Sequence, residues 1–134
     1  MNRFLRYQFP AVAWVGVIFA SSAMPTEFFG RFGVEQSWAP KIVHVLFFFI
    51  LCFFLNRALR HQQVSPFVAQ WSLALSVLLC LTFGIVDEVH QIFVRGRHPR
   101  ITDVVLDLSG ATLMAMTLWL RTWVQSLRRE RVPS

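Results

Sequence analysis

Long apolar stretches alternate with short polar ones along the whole chain, and that alternation predicts helices that cross a membrane. The apolar runs cover about residues 9–24, 41–59, 67–90 and 101–123, each close to the ~20 residues that span a bilayer. The expected fold is therefore all-α, a bundle of four transmembrane helices forming one polytopic membrane domain over residues 1–134. Ser21, Ser22 and Ala23 at the end of the first run also fit a signal-peptide cleavage site. The three runs that follow favour a retained first helix, as do Trp14 and Gly16, which suit packing between helices.

Between the first two runs, residues 25–40 begin and end with proline and hold two glycines, so a loop is expected there. Phe28, Phe29, Phe32 and Trp38 would sit in the headgroup region, where aromatic side chains are enriched. A polar connection at about residues 61–66 precedes the third run. The closing stretch 127–134, LRRERVPS, is expected to be a mobile basic tail.

Composition narrows the class. At 55% hydrophobic and 15% charged residues, with a mean hydropathy of +0.51, the chain is too apolar for a soluble domain of this size. The net charge of +6 would suggest nucleic acid in a soluble protein, but the bases cluster at the ends of apolar runs. There they set topology and meet anionic headgroups, so membrane lipids are the expected partners and no nucleic acid is. Cys52 and Cys80 lie inside apolar runs and read as small buried hydrophobes, with a disulfide left open.

With four spans, Arg3, Arg6, Arg57, Arg60, Arg121, Arg128, Arg129 and Arg131 share one membrane face. Arg31, Lys41, Arg95, Arg97 and Arg100 share the other. The excess of basic residues puts both termini in the cytoplasm.

The unusual chemistry is concentrated in GIVDEVHQIFVRGRHPRITDVVLDLSG, residues 84–110, which holds Asp87, Glu88, Asp103 and Asp107. Ionisable groups at membrane depth are costly and mark function. Helix order alone brings Lys41 and His44, then Asp87 to Gln91, then Asp103 and Asp107, to the outward face. Gly84, Asp87, His90 and Gln91 form one helical stripe, with Glu88 about 100° round from Asp87. Asp103, Asp107 and Gly110 form a second, where Gly110 would let a neighbouring helix approach closely. RGRHPR between them reads as a tight turn.

These residues resemble the VanZ-like family of small bacterial membrane proteins. The resemblance rests on Lys41-x-x-His44, on Asp87-Glu88-x-x-Gln91, on Phe93 with Gly96-Arg97, and on Asp103, Asp107 and Gly110. Two positions depart from the pattern, Pro40 where an Asp often precedes the Lys and Asp107 where Asn is common. The resemblance implies a multi-pass protein of the bacterial inner membrane with an envelope-related role, through the family's link to resistance against the lipid-bearing glycopeptide teicoplanin. It implies no particular reaction.

Several uses of the cluster stay open. The first is a salt-bridge network in which Lys41 and Arg97 pair with Asp87, Asp103 or Asp107 and fasten helix ends. A second is a site for an anionic lipid head or lipid-linked phosphate, held by Arg97 with Arg95, Arg100 or Lys41, the binding residues being Lys41, Gln91, Arg97, Asp103 and Asp107. If that site is catalytic, Asp87 or Glu88 with His44 or His90 would supply acid and base. The third is a proton- or cation-coupled carrier in which Asp87, Asp103 and Asp107 bind the ion, for which four short helices leave little room unless the chain forms a homo-oligomer. His44, His90 and the carboxylates are also ligand types that suit a divalent ion, but no tight spacing supports them, so no metal or cofactor is assigned. Ser21, Ser22 and Ser109 lie in no nucleophile motif.

Overall fold

In the computed structural model, residues 2–24 and 38–130 are described, and every regular element among them is a helix. Of the loop predicted over residues 25–40, residues 25–37 with Phe28, Phe29 and Phe32 lie outside the described residues, as does the tail beyond residue 130. The last two residues of that loop, Ala39 and Pro40, open the next helix instead, where a proline's missing N–H has no helical partner to lose. The helices are α1 (Arg3–Tyr7), α2 (Phe9–Ser22), α3 (Ala39–Arg60), α4 (Pro66–Gln70), α5 (Ser72–Gln91) and α6 (Ile101–Glu130).

Three of these are long and apolar enough to cross a membrane: α3, α5 and α6. At 22 residues, α3 rises about 33 Å, matching a hydrocarbon core of roughly 30 Å. By contrast, α2 has 14 residues and rises only about 21 Å. Pro10 in its first turn has no N–H to offer the carbonyl of Arg6, so the hydrogen-bond ladder breaks between α1 and α2 although the backbone of Gln8 stays in the helical region.

The helices differ in extent from two of the predicted runs. Over the third, Pro66 opens a separate five-residue helix and the backbone leaves the helical region at Trp71, so the long helix begins at Ser72. Over the fourth, the helix continues past residue 123 to Glu130, since backbone bonds within a helix are satisfied in water as well as in lipid, and the first part of the expected mobile tail is helical.

The packed face is the inverse of a soluble helix's. On α5 the buried residues are Ser72, Ser76, Cys80, Gly84, Asp87, Glu88 and Gln91, while Leu78, Leu79, Ile85, Val86 and Val89 are exposed. Lipid tails are as apolar as leucine, so what helices hide from them is small and polar surface that packs closely or hydrogen-bonds. Gly110 carries this furthest: a Cβ there would collide with the carbonyl oxygen of Val45, so α6 and α3 meet backbone to backbone. Around that contact Phe48, Leu51, Cys52, Cys80, Ala111 and Met114 form the core with Ile18 of α2. Both cysteines are free thiols.

The first apolar helix docks on α3. Trp14 donates its indole N–H to the carbonyl of Phe47 at 2.9 Å and meets the Phe47 ring edge-on. Gly16 has open space where a Cβ would stand, so it does not serve the close packing expected of it.

Candidate functional site

The N-terminal turns of α3 and α6, the C-terminal turns of α2 and α5, and the turn from α5 to α6 lie at one end of the bundle. Their polar residues line a cleft of about 540 Å³. One part of its wall is basic, with Lys41, Arg97, His98 and Arg100, and another is apolar, with Ile18, Val43, Phe47 and Phe48. Ser21, Ser22, His44, Asp87, Gln91, Thr102 and Asp103 complete the polar lining.

Behind this wall the carboxylates are buried and held by specific donors. Asp87, 3% exposed, accepts from the Ser22 hydroxyl at 2.6 Å and from the Gln91 amide at 3.0 Å. Glu88, 6% exposed, accepts from the backbone N–H of Arg100 at 2.6 Å and from Gln91 at 3.4 Å. This bond joins the end of α5 to the residue that precedes α6 and so pins the intervening turn. Within that turn Gly96 takes φ = 75°, a left-handed conformation that costs glycine little. The α5 stripe is therefore wider than a single line, and Glu88 is buried beside Asp87 rather than set apart from it.

Asp107 lies deepest, at 1% exposed. Its Oδ1 is 2.9 Å from Nδ1 of His44, while Oδ2 is buried with no hydrogen-bond partner. Oδ2 faces Gly84, where an added Cβ would stand 3.0 Å from it. Nδ1 of His44 is committed to Asp107, and the imidazole itself forms part of the cleft wall. A buried carboxylate behind a histidine fixes the ring's orientation and leaves its other nitrogen available to a ligand.

The expected salt-bridge network takes a different form. Among the described residues, the contact between a carboxylate and a basic side chain within 4.0 Å is His44 with Asp107. Lys41 instead places its ammonium 4.3 Å from the ring centre of Trp38, because the carboxylates are deep in the bundle and Lys41 stands in the exposed first turn of α3. Arg97 donates through Nε to the carbonyl of Met24 at 3.3 Å, linking the α5–α6 turn to the end of α2. Asp103 is half-buried at the start of α6, where its charge suits the positive end of the helix dipole, and it lines the cleft.

His90 is placed elsewhere. Its ring stacks on Phe19 at 4.1 Å, away from the other candidates, and its Nδ1 is buried without a partner. Among the described residues, no three His, Cys, Asp or Glu side chains are arranged to hold a metal ion.

Ser22 is the member that sequence reasoning missed. As one small residue among three it carries no motif, yet it holds Asp87 across 65 positions of sequence. The signal that could have found it is its place at the same end of the bundle as the acidic stripe, where a buried carboxylate needs donors.

No curated protein and no solved structure matches the sequence. The family model for VanZ/LLP1 matches residues 4–122, which takes in every residue of the cleft. A chain with three membrane-crossing helices and this match over most of its length is a membrane protein and belongs to the VanZ/LLP1 family.

Proposed function

We propose that this is a four-helix protein of the bacterial inner membrane, with both termini in the cytoplasm and the cleft open to the outward face. In this reading α1 and α2 together make the first crossing, and the basic excess on the terminal side sets orientation. The cleft takes a phosphate group carried by a lipid, either an anionic headgroup or a lipid-linked phosphate, in an envelope-related role such as the family's connection with glycopeptide resistance implies.

One observation carries this reading. Among the described residues, Lys41, Arg97 and Arg100 line the cleft together with two carboxylates, Asp87 and Asp103, so basic groups outnumber acidic ones along it by one. These cationic donors stand beside an apolar wall, the pairing that a phosphate on an acyl or prenyl chain requires. Arg97 is the principal phosphate donor, Lys41 and Arg100 add charge, and Gln91 and Asp103 are polar neighbours of the ligand. If the bound lipid is transformed, His44 backed by Asp107 is the group placed to move a proton, and Asp87 and Glu88 shape the site around it.

The test is lipid analysis of purified protein. Wild type should carry a phosphate-bearing lipid through purification, and Arg97→Lys should lose most of it, because a point charge does not replace a planar two-pronged donor. Equal lipid content in wild type and Arg97→Ala would refute the assignment.

The partnerless Oδ2 of Asp107 favours a second reading, in which the His44–Asp107 pair carries a proton across the site. Proton flux in reconstituted vesicles that disappears in a folded Asp107→Asn protein would support it.

A further inference from the structure

At the opposite end of the bundle lies a second polar cluster, built around Tyr7 where α1 meets the last turn of α3. The Tyr7 ring stacks on His61 at 4.3 Å and within 5° of parallel. The guanidinium carbons of Arg6 and Arg57 each stand 5.3 Å from the ring centre. Arg3 donates to the carbonyl of His61, and the ring of His61 is turned onto the carbonyl of Arg57 through Nδ1 at 2.9 Å, where it must be the donor. Arg60 follows on α3.

Arg3, Arg6 and Arg57 are thus gathered with no acid among the described side chains of the cluster, and Arg60 lies one helical turn beyond Arg57. None forms an ion pair with a carboxylate whose side chain the structure describes. The acids Asp87, Glu88, Asp103 and Asp107 are all at the far end of their helices, and the sequence places one acid at this end, Glu130, beside Arg128 and Arg129 in α6. Cation–π contact orders Arg6 and Arg57 without neutralising them. The guanidinium forks therefore keep donors for an anion, at the depth where tyrosine and arginine meet lipid headgroups.

We propose that Arg3, Arg6 and Arg57, ordered by Tyr7 and His61, together with Arg60 one turn beyond Arg57, form a binding site for the phosphate of an anionic phospholipid in the leaflet at that end. The site is separate from the cleft and stands whether or not the cleft binds phosphate. Holding a lipid there ties α1 to α3, with the headgroup as counter-charge to the arginines.

The experiment is native mass spectrometry of the full chain in detergent, titrated with equal amounts of phosphatidylglycerol and phosphatidylcholine. Wild type should retain phosphatidylglycerol preferentially. The double variant Arg6→Gln/Arg57→Gln should bind it about thirtyfold more weakly, which corresponds to roughly 1 kcal/mol for each arginine near an anionic surface. Arg128→Gln/Arg129→Gln removes as much charge from the same end but outside the cluster, and should leave this affinity within about threefold of wild type. An equal loss in the two double variants would show diffuse attraction and overturn the site, as would undiminished binding in Arg6→Gln/Arg57→Gln. Excess glycerol phosphate tests the source, since displacement of the lipid would assign the cluster to a soluble phosphate and overturn the lipid proposal. Helix content by circular dichroism checks folding, and Arg3→Gln/Arg60→Gln is read in the same way if the first pair does not fold. Arg97→Ala should not alter this binding, which keeps the two sites distinguishable.

Discussion

The two ends of the bundle handle charge in opposite ways. At the cleft end Asp87, Glu88 and Asp107 are buried, and donors drawn from α2, α3, α5 and the turn before α6 hold them. At the other end Arg3, Arg6 and Arg60 are exposed and Arg57 half-exposed, arranged by an aromatic ring and two backbone carbonyls. Burial makes the first set depend on every partner, because an unsatisfied polar group away from water costs its full desolvation. Exposure makes the second set tolerant, because water or a headgroup replaces a lost contact. One end is thereby a determinant of the fold, and the other is the surface we propose for an anionic headgroup.

That contrast can be broken by substitution, and the largest effect should come from the helix contact beneath the cleft. Gly110→Leu drives a side chain into the Val45 carbonyl, and should destabilise by about 3 kcal/mol or leave no folded protein, as read by thermal unfolding in detergent. Asp87→Ala leaves a void and removes an acceptor shared by the Ser22 hydroxyl and the Gln91 amide, which then keep the Phe19 carbonyl and Glu88. It should cost about 2 to 3 kcal/mol in the same assay, whereas Arg60→Ala at the other end should stay within about 0.5 kcal/mol of wild type. Comparable losses in these two variants would erase the distinction between the ends.

Glycine offers a finer comparison. At Gly16 the space is open, so Gly16→Ala should stabilise by up to about 1 kcal/mol through helix propensity alone. At Gly84 the same gain is opposed by contact with Oδ2 of Asp107. Gly84→Ala should therefore leave thermal stability near that of wild type while shifting the imidazole nitrogen resonances of His44. The smallest effect should be Tyr7→Phe, which keeps the ring that His61 and the two guanidiniums face. A change in unfolding of no more than a few tenths of a kcal/mol is expected there.

Much of the fold was legible because the bilayer imposes a length. The runs that became α3, α5 and α6 stand out as ~20-residue apolar windows, and helix order then brings Lys41, His44, Asp87, Gln91 and Asp103 to one cleft. Gly96 and Gly110 were legible as a turn and a close contact, because few residues other than glycine meet those demands. What could not be read was side-chain partnership. Lys41 has the charge to pair with Asp103 or Asp107, yet its ammonium lies on Trp38 three residues away. Ser22 looks like any small residue until α2 is docked beside α5. The break at Trp71 and the continuation of α6 to Glu130 were equally hidden, since hydropathy reports where lipid begins and not where backbone hydrogen bonding stops.

The central claim, that Arg97 in the cleft holds a lipid phosphate, is tested most directly by solid-state NMR. The protein would carry 13C at the guanidinium carbon of arginine, be reconstituted in phospholipid vesicles, and be observed with dephasing by 31P. The account predicts a dephased signal that vanishes in Arg97→Lys and a second that vanishes in Arg57→Lys. A cleft arginine signal that 31P does not dephase, in protein that is folded and lipid-embedded, would contradict it.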